Sequence, residues 1–340
     1  MPAPRSPRPA SPQTVVSPDP SRRGGLLLVH AHPDDECFST GGLIARSLAE
    51  GRRVDLVVCT GGEEGEIHDP SLDPEEAKPR MREIRTAELN CSVEALRGDG
   101  PGELVVHRLG YRDSGMMDTE ANAHPACFWK ADLDEATGRL VSVIREAQPA
   151  VMVTYDANGN YGHPDHINAH RIGVSAMQAA ADPSRFADAG PAFAVDKFYE
   201  VAINRDRWST VMAEMKERGI KLPWDFDAED EAAAGAAGAE GADAGADPSD
   251  AKPDEEPQSF GVPEAEITTM VDVAAWSAAK RTAMDCHKTQ RQDFGWLLDM
   301  PDDLATRILS PETFVLTRWP TRGIAPDLHE TSLFEGIDEA

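Results

Sequence analysis

The chain alternates short apolar runs with stretches of helical spacing, and that alternation restricts its fold more than any other feature. The run LLLVH (26–30) is continuous and apolar, as a strand buried on both faces of a parallel sheet would be. FSTGGLIARSLAEG follows with helical spacing at Leu43, Ile44 and Leu48, and Gly51 stands at its end as a C-cap. RVDLVVCT (53–60) reads as the next strand, completing a β-α-β unit. The charged segment DPEEAKPRMREIRTAELNCSVEALRG predicts a long helix or helix pair with an apolar stripe through Ile84, Leu89, Val93 and Leu96. Strand ELVVHRL, a helix from about Leu133 to Glu146, strand AVMVTY (150–155) and a helix opening at HPDHINAH continue the pattern. KFYEVAI (197–203) predicts a further strand, Trp208 to Arg218 a helix, and ITTMVDVAAWSAAKRTAMDCHKTQ a strand and then a helix. The expected fold class is α/β: a Rossmann-like, mostly parallel sheet flanked by helices on both faces.

Two segments fall outside this pattern. Residues 1–24 are rich in proline, serine and arginine and lack the apolar stretch of a secretory signal, which predicts a disordered tail ahead of a single domain at 25–340. The Ala/Gly/Asp/Glu tract from Asp227 to about Gln258 cannot bury enough apolar surface to order itself, so it predicts a disordered insertion that interrupts the domain. Between Asp225 and Glu256, twelve acidic residues face only Lys252, so this segment carries net −11 of the formal −27. An acidic chain lacks the basic patches that nucleic acid or an anionic membrane would require. No run approaches the roughly 18 apolar residues of a membrane span. Cys37, Cys59, Cys91, Cys127 and Cys286 lie far apart, with no C-x-x-C pair and an odd total, a pattern of a reducing cytoplasm rather than of a disulfide scaffold.

The chemistry concentrates in two clusters. HAHPDDE (30–36) directly follows the first predicted strand, and YGHPDH (161–166) follows AVMVTY. In open α/β sheets, ligand sites form in loops at the carboxyl ends of strands, which is where both clusters fall. Two neutral imidazoles and one carboxylate make a divalent-metal site with room for water. His32 and Asp35, three apart in a turn bent by Pro33, can converge on one ion, and His166 supplies the third ligand. Asp34 is placed to take the proton of the attacking water. His163 is the candidate to stabilise the oxyanion and protonate the departing amine, with Asp165 holding its imidazole protonated and oriented and Tyr161 adding a hydroxyl. His30 reads as a strand-end residue turned into the fold, and Glu36 as a supporting side chain rather than a ligand.

His-Pro-Asp is also ordinary turn chemistry, in which Asp34 or Asp165 would simply cap the next helix. Two such clusters, each at a strand end and each with a further metal-capable residue, favour the metal reading. A metallophosphoesterase would need basic residues to receive phosphate, and these loops supply mainly acids. A non-catalytic sugar-binding module is the remaining alternative.

HAHPDDE, TGGEEGE after the second strand and YDANGNYGHPDH together resemble the LmbE-like (PIG-L) zinc-dependent N-deacetylases, over roughly residues 26–180 with weaker likeness in AKRTAMDCHKTQ and LFEGI. Within that family the chain is most similar to the mycothiol-pathway members, the deacetylase acting on N-acetylglucosaminyl-inositol and the mycothiol S-conjugate amidase. The resemblance implies the LmbE-like fold, one zinc per chain with ferrous iron as the alternative, and a small-molecule amino-sugar substrate. It implies His32, Asp35 and His166 as ligands, Asp34 as general base and His163 as the group assisting the tetrahedral intermediate, with Tyr161 and Asp165 in support. Arg85 in EIRTAEL and Asp113 in YRDSGM fall where the deacetylase holds sugar and inositol hydroxyls, and Ser39 stands where the amidase branch has lysine. Asn160 occupies a position in NGNYG where glycine is expected.

Overall fold

In the described residues, seven strands join into one sheet of order β3-β2-β1-β4-β5-β7-β6. In chain order the elements are β1 Leu26–His30, α1 Asp35–Ser39, α2 Gly41–Ala49, β2 Val54–Thr60, α3 Pro74–Ala77, α4 Met81–Arg97, β3 Leu104–Tyr111, α5 Leu133–Ala147, β4 Val151–Thr154, α6 Gly159–Gly162, α7 Pro164–Ala181, β5 Lys197–Val201, α8 Arg205–Glu217, β6 Thr269–Val271, α9 Ser277–Cys286, α10 Arg291–Leu298, α11 Asp302–Leu309 and β7 Glu312–Arg318. The computed structural model describes residues 24–220, 261–321, 323–325 and 328–337. The acidic insertion and, except for Gly24, the proline-rich tail lie outside them.

The first five strands run parallel, and the strands predicted between residues 26 and 203 become these five. β1 shows why a continuous apolar run is needed there. All five of its residues are buried, with Leu26 and Leu28 feeding the core under α2 and α4, and Leu27 and Val29 feeding the core under α5 and α7. A strand covered on both faces cannot alternate with polar residues. Gly42 meets the same constraint at the start of α2, where a Cβ would stand 2.5 Å from the Val273 side chain.

The sheet departs from the sequence reading at its far edge. β7, to which the sequence pattern assigned no element, runs antiparallel between β5 and β6. Its Glu312 is buried, accepts the N–H groups of Gly42 and Leu43 at 2.8 and 2.7 Å, and pairs with Lys280 at 2.7 Å. A carboxylate there satisfies the open amides at the N-terminus of α2 and favours its dipole.

One bridge joins two of the cysteines, without making the fold a disulfide scaffold. Cys91 of α4 and Cys286 of α9 form a disulfide, with Cα atoms 5.6 Å apart. Their separation of 195 residues hid the pairing, because α4 and α9 become neighbours only once the sheet is built. Cys37, Cys59 and Cys127 are free and buried. No helix among the described residues is long and apolar enough to cross a membrane.

Candidate active site

β1 and β4 are neighbours in the sheet, although β2 and β3 intervene in the chain, so strand order reverses between them. Such a switch point opens a crevice at the carboxyl ends of the strands. After β1, His32 and Asp34 lie in the turn and Asp35 opens α1; after β4, Tyr161 lies in α6, His163 caps α7, and Asp165 and His166 lie in its first turn. Together with Ser39, Arg85 and Asp113, every one of these except Asp165 lines a single cavity of about 550 Å³. Phe38, Met116, Ile203 and Phe294 give that cavity an apolar side.

His32, Asp35 and His166 converge at its base. His32 Nδ1 lies 3.3 Å from His166 Nε2 and 3.4 Å from Asp35 Oδ2, and His166 Nε2 lies 3.4 Å from Asp35 Oδ1. Ligand atoms around a tetrahedral ion with bonds of about 2.0–2.1 Å stand about 3.4 Å apart, which matches the two imidazole nitrogens and the distance from each of them to the Asp35 carboxylate. Asp35 Oδ2 already accepts Tyr155 Oη–H at 2.6 Å and the His32 N–H at 2.7 Å, which leaves Oδ1 as its open oxygen. Tyr155 also stacks on the His166 ring at 4.0 Å between centroids.

His32 also stands in a grouping with His163 and His166 and in one with Asp113 and Asp165, either of which could hold an ion. His32 Nε2 lies 3.2 Å from Asp165 and 3.6 Å from Asp113. One imidazole can serve both groupings: a ligating histidine typically donates its other ring N–H to a carboxylate, which fixes the ring. Nδ1 would then be free for an ion shared with Asp35 and His166, while Nε2–H rests on Asp165.

The charge balance also asks for a cation. Burial lowers the His32 imidazole, but Asp113, Asp165 and Asp35 outweigh it and hold the group well above its ordinary value. Burial pushes Asp35 up, yet His166 and His32 hold it well below the usual carboxylate range. His166 is carried by burial down to about 4, the neutral form a ligand must have. A divalent ion would replace the proton on His32 and neutralise the buried carboxylates.

Asp34 has an unusual setting. Its backbone sits at φ 128°, ψ −28°, a region non-glycine residues rarely adopt. Its carboxylate is pushed up to about 7, chiefly by burial, with Arg85 opposing and Asp35 reinforcing the shift. Arg85, only 3% exposed, donates to Asp34 Oδ2 at 2.7 Å, to the Pro33 carbonyl and to the Gly62 carbonyl at 3.0 Å. A Cβ on Gly62, itself at φ 67°, would stand 2.2 Å from that guanidinium. Arg85 therefore grips the Asp34 carboxylate and its turn while also lining the cavity, where the resemblance had implied a residue holding substrate hydroxyls.

Two further positions differ from expectation. Asp165 does not orient the His163 ring with its carboxylate, which instead meets His32 and accepts both the N–H and Oγ–H of Ser114. The backbone N–H of Asp165 donates to His163 Nδ1 at 3.1 Å, because His163 is the N-cap of α7. Nor is His163 held protonated: burial, with His32 and His166 adding to it, carries it down to about 3. A neutral ring whose Nδ1 accepts must carry its proton on Nε2. Asp113 is 3% exposed and accepts the N–H groups of Glu64 and Gly115, so much of its hydrogen-bonding capacity is used by the fold. Ser39 closes α1 at the cavity wall, and Tyr161, 54% exposed, stands at the rim. Asn160 adopts φ 64°, ψ −55°, a positive-φ conformation in which glycine would be unstrained.

A family model described as PIG-L, GlcNAc-PI de-N-acetylase, matches residues 27–177. The 1D-myo-inositol 2-acetamido-2-deoxy-alpha-D-glucopyranoside deacetylase of Geodermatophilus obscurus is 41% identical, with 94% of this chain and 99% of that protein covered. The protein of the same description from Streptomyces avermitilis is 40% identical, over 94% of this chain and 98% of its own. The chain belongs to this family. Among solved structures, N,N'-diacetylchitobiose deacetylase from Pyrococcus horikoshii is similar at TM-score 0.52 and 16% identity, covering 89% of this chain and 87% of that one. GalB, the 4-carboxy-2-hydroxymuconate hydratase of Pseudomonas putida KT2440, also reaches TM-score 0.52 at 17% identity, over 89% of this chain and 100% of its own. A deacetylase and a hydratase share the fold, so for this family the chemistry has to be argued from the site.

Sequence reasoning missed Tyr155 and Ser114, which hold Asp35 and Asp165. Tyr155 carried a signal, a hydroxyl ending an apolar strand directly before the second cluster. Ser114 acts through Asp165, remote in sequence, and no local pattern marks it.

Proposed function

We propose that the protein is a zinc-dependent N-deacetylase that hydrolyses the 2-acetamido group of N-acetylglucosaminyl-inositol, with His32, Asp35 and His166 as the metal ligands. The observation that carries this reading is that His32 Nδ1 and His166 Nε2 stand 3.3 Å apart and each lies 3.4 Å from one oxygen of the Asp35 carboxylate, beside the Asp34 carboxylate gripped by Arg85. The names of the relatives supply the substrate class: a small amino-sugar inositol.

A bound zinc would supply Lewis-acid polarisation of the amide carbonyl and acidify water toward neutrality. Asp34, the acid pushed to about 7, accepts the proton of the attacking water and returns it to the departing amine, so that acetate and a free amine leave. The neutral His163 donates through Nε2–H to the oxygen on which charge develops, and its orientation is set by the Asp165 N–H. Asp165 and Ser114 keep the His32 ring turned to the site. Tyr161 at the rim offers its hydroxyl to the same oxygen or to the sugar.

The test is free-amine release by the zinc-loaded protein, with the ferrous form in parallel, on N-acetylglucosaminyl-inositol and on a mycothiol S-conjugate. Preferential release from the first supports the reading. Preference for the conjugate would make the protein an amidase of larger thiol conjugates, and release from neither would overturn the substrate assignment.

A further inference from the structure

The hydrolysis proposed above makes no use of Glu36, yet this residue is fully buried directly beside the base. Its Oε2 accepts the Asp34 N–H at 2.9 Å. The Asp34 carbonyl accepts from the Cys37 N–H at 3.1 Å and from Cys37 Sγ at 2.9 Å, so both main-chain polar groups of the positive-φ residue are tied down. Glu36 Oε1 in turn accepts Ser92 Oγ–H at 2.5 Å and His287 Nε2–H at 2.9 Å. Ser92 comes from α4, and His287 caps the end of α9, 251 residues from Glu36.

Two observations show that this cluster is built rather than incidental. His287 Nδ1 is buried with no hydrogen-bond partner among the described residues, so the bond to Glu36 is the ring's hydrogen bond. Cys91 and Cys286, joined in the disulfide, are the residues immediately before Ser92 and His287, so the two groups that hold Glu36 are covalently linked to each other. None of Glu36, Ser92 and His287 lines the cavity. A buried carboxylate is retained at a strained turn when its hydrogen bonds fix that turn.

We propose that Glu36, held by Ser92 and His287, is a positioning residue for the hydrolysis: it fixes the Asp34 main chain in its positive-φ conformation and thereby aims the Asp34 carboxylate at the attacking water. The inference rests on the reading of Asp34 as the base. Hydrogen-bond reach, rather than charge alone, is what the clamp requires. Glu36→Asp keeps the charge and loses the reach, whereas Glu36→Gln keeps the length and an acceptor oxygen.

The experiment compares the metal-loaded wild type with Glu36→Asp, Glu36→Gln and Ser92→Ala in amine release. Metal content, the melting temperature and hydrogen exchange of the segment containing the Asp34 amide are measured alongside. The expected result for Glu36→Asp is a loss of about 10- to 100-fold in kcat with KM changed less than about threefold, wild-type metal content and faster exchange at Asp34. Glu36→Gln should recover a substantial part of that kcat, and Ser92→Ala should lose several-fold with the same exchange signature. If Glu36→Asp fails to fold, Ser92→Ala and the exchange at Asp34 decide the matter. Wild-type kcat and exchange in Ser92→Ala, an equal loss in Glu36→Asp and Glu36→Gln, or a loss that tracks metal content would overturn the proposal. If the wild type itself releases no amine, the hydrolase reading fails, while the exchange data still show whether Glu36 holds the Asp34 turn.

Discussion

The Arg85 guanidinium lies 2.7 Å from the Asp34 carboxylate, and the two side chains are only 3% and 14% exposed. A buried pair of this kind is badly disturbed when one partner is removed, because the other charge is left without compensation. Arg85→Met is expected to lower kcat about 10- to 100-fold while changing KM little. Steady-state kinetics decide the point: a residue that held substrate hydroxyls would raise KM instead.

Asp165 fixes the ring of His32 rather than that of His163. Asp165→Asn is therefore expected to weaken metal affinity about 10- to 100-fold. Competition with a chelator of known affinity measures this directly. Unchanged affinity would return Asp165 to the role expected from the sequence.

Glu200, at the carboxyl end of β5, is pushed up to about 7 by burial and by Asp156, with Arg318 opposing. A carboxyl raised in the folded state contributes stability that is fully present below its unfolded value of about 4.5 and is lost as pH rises through about 7. Glu200→Gln removes that loss. Denaturant unfolding is expected to show the variant more stable than the wild type at pH 8, on the order of 1 kcal/mol after allowance for solvent screening, and no such gain at pH 4.5.

The Cys91–Cys286 disulfide closes a loop of 195 residues between α4 and α9. Cys91→Ser is expected to lower unfolding free energy by about 2–4 kcal/mol in urea. Reductant should bring the wild type to the same value and leave the variant unmoved.

Much of this molecule was legible in its sequence, for a physical reason. Parallel strands buried on both faces favour continuous apolar runs, so β1, β4 and most of β2 announced themselves, and the switch point then placed the two His-Pro-Asp clusters together. β7 stayed hidden because it stands outside the β-α alternation and pairs antiparallel at the far side of the sheet. The partners of Asp165, Arg85 and Glu36 stayed hidden because each contact crosses about fifty residues of chain or far more. A residue type at a strand end shows what chemistry is on offer; only the packed fold shows which imidazole a carboxylate reaches. The disulfide belongs to the same class of long-range fact.

The central claim, that Asp34 is the base beside an ion held by His32, Asp35 and His166, is tested most directly by metal stoichiometry and amine release measured on the same samples of wild type, Asp34→Asn and His166→Ala. The expected result is one metal per chain with turnover reduced by roughly 10²–10⁴-fold in Asp34→Asn, and lost metal with lost turnover in His166→Ala. Wild-type turnover in metal-loaded Asp34→Asn, or full metal retention in His166→Ala, would contradict it.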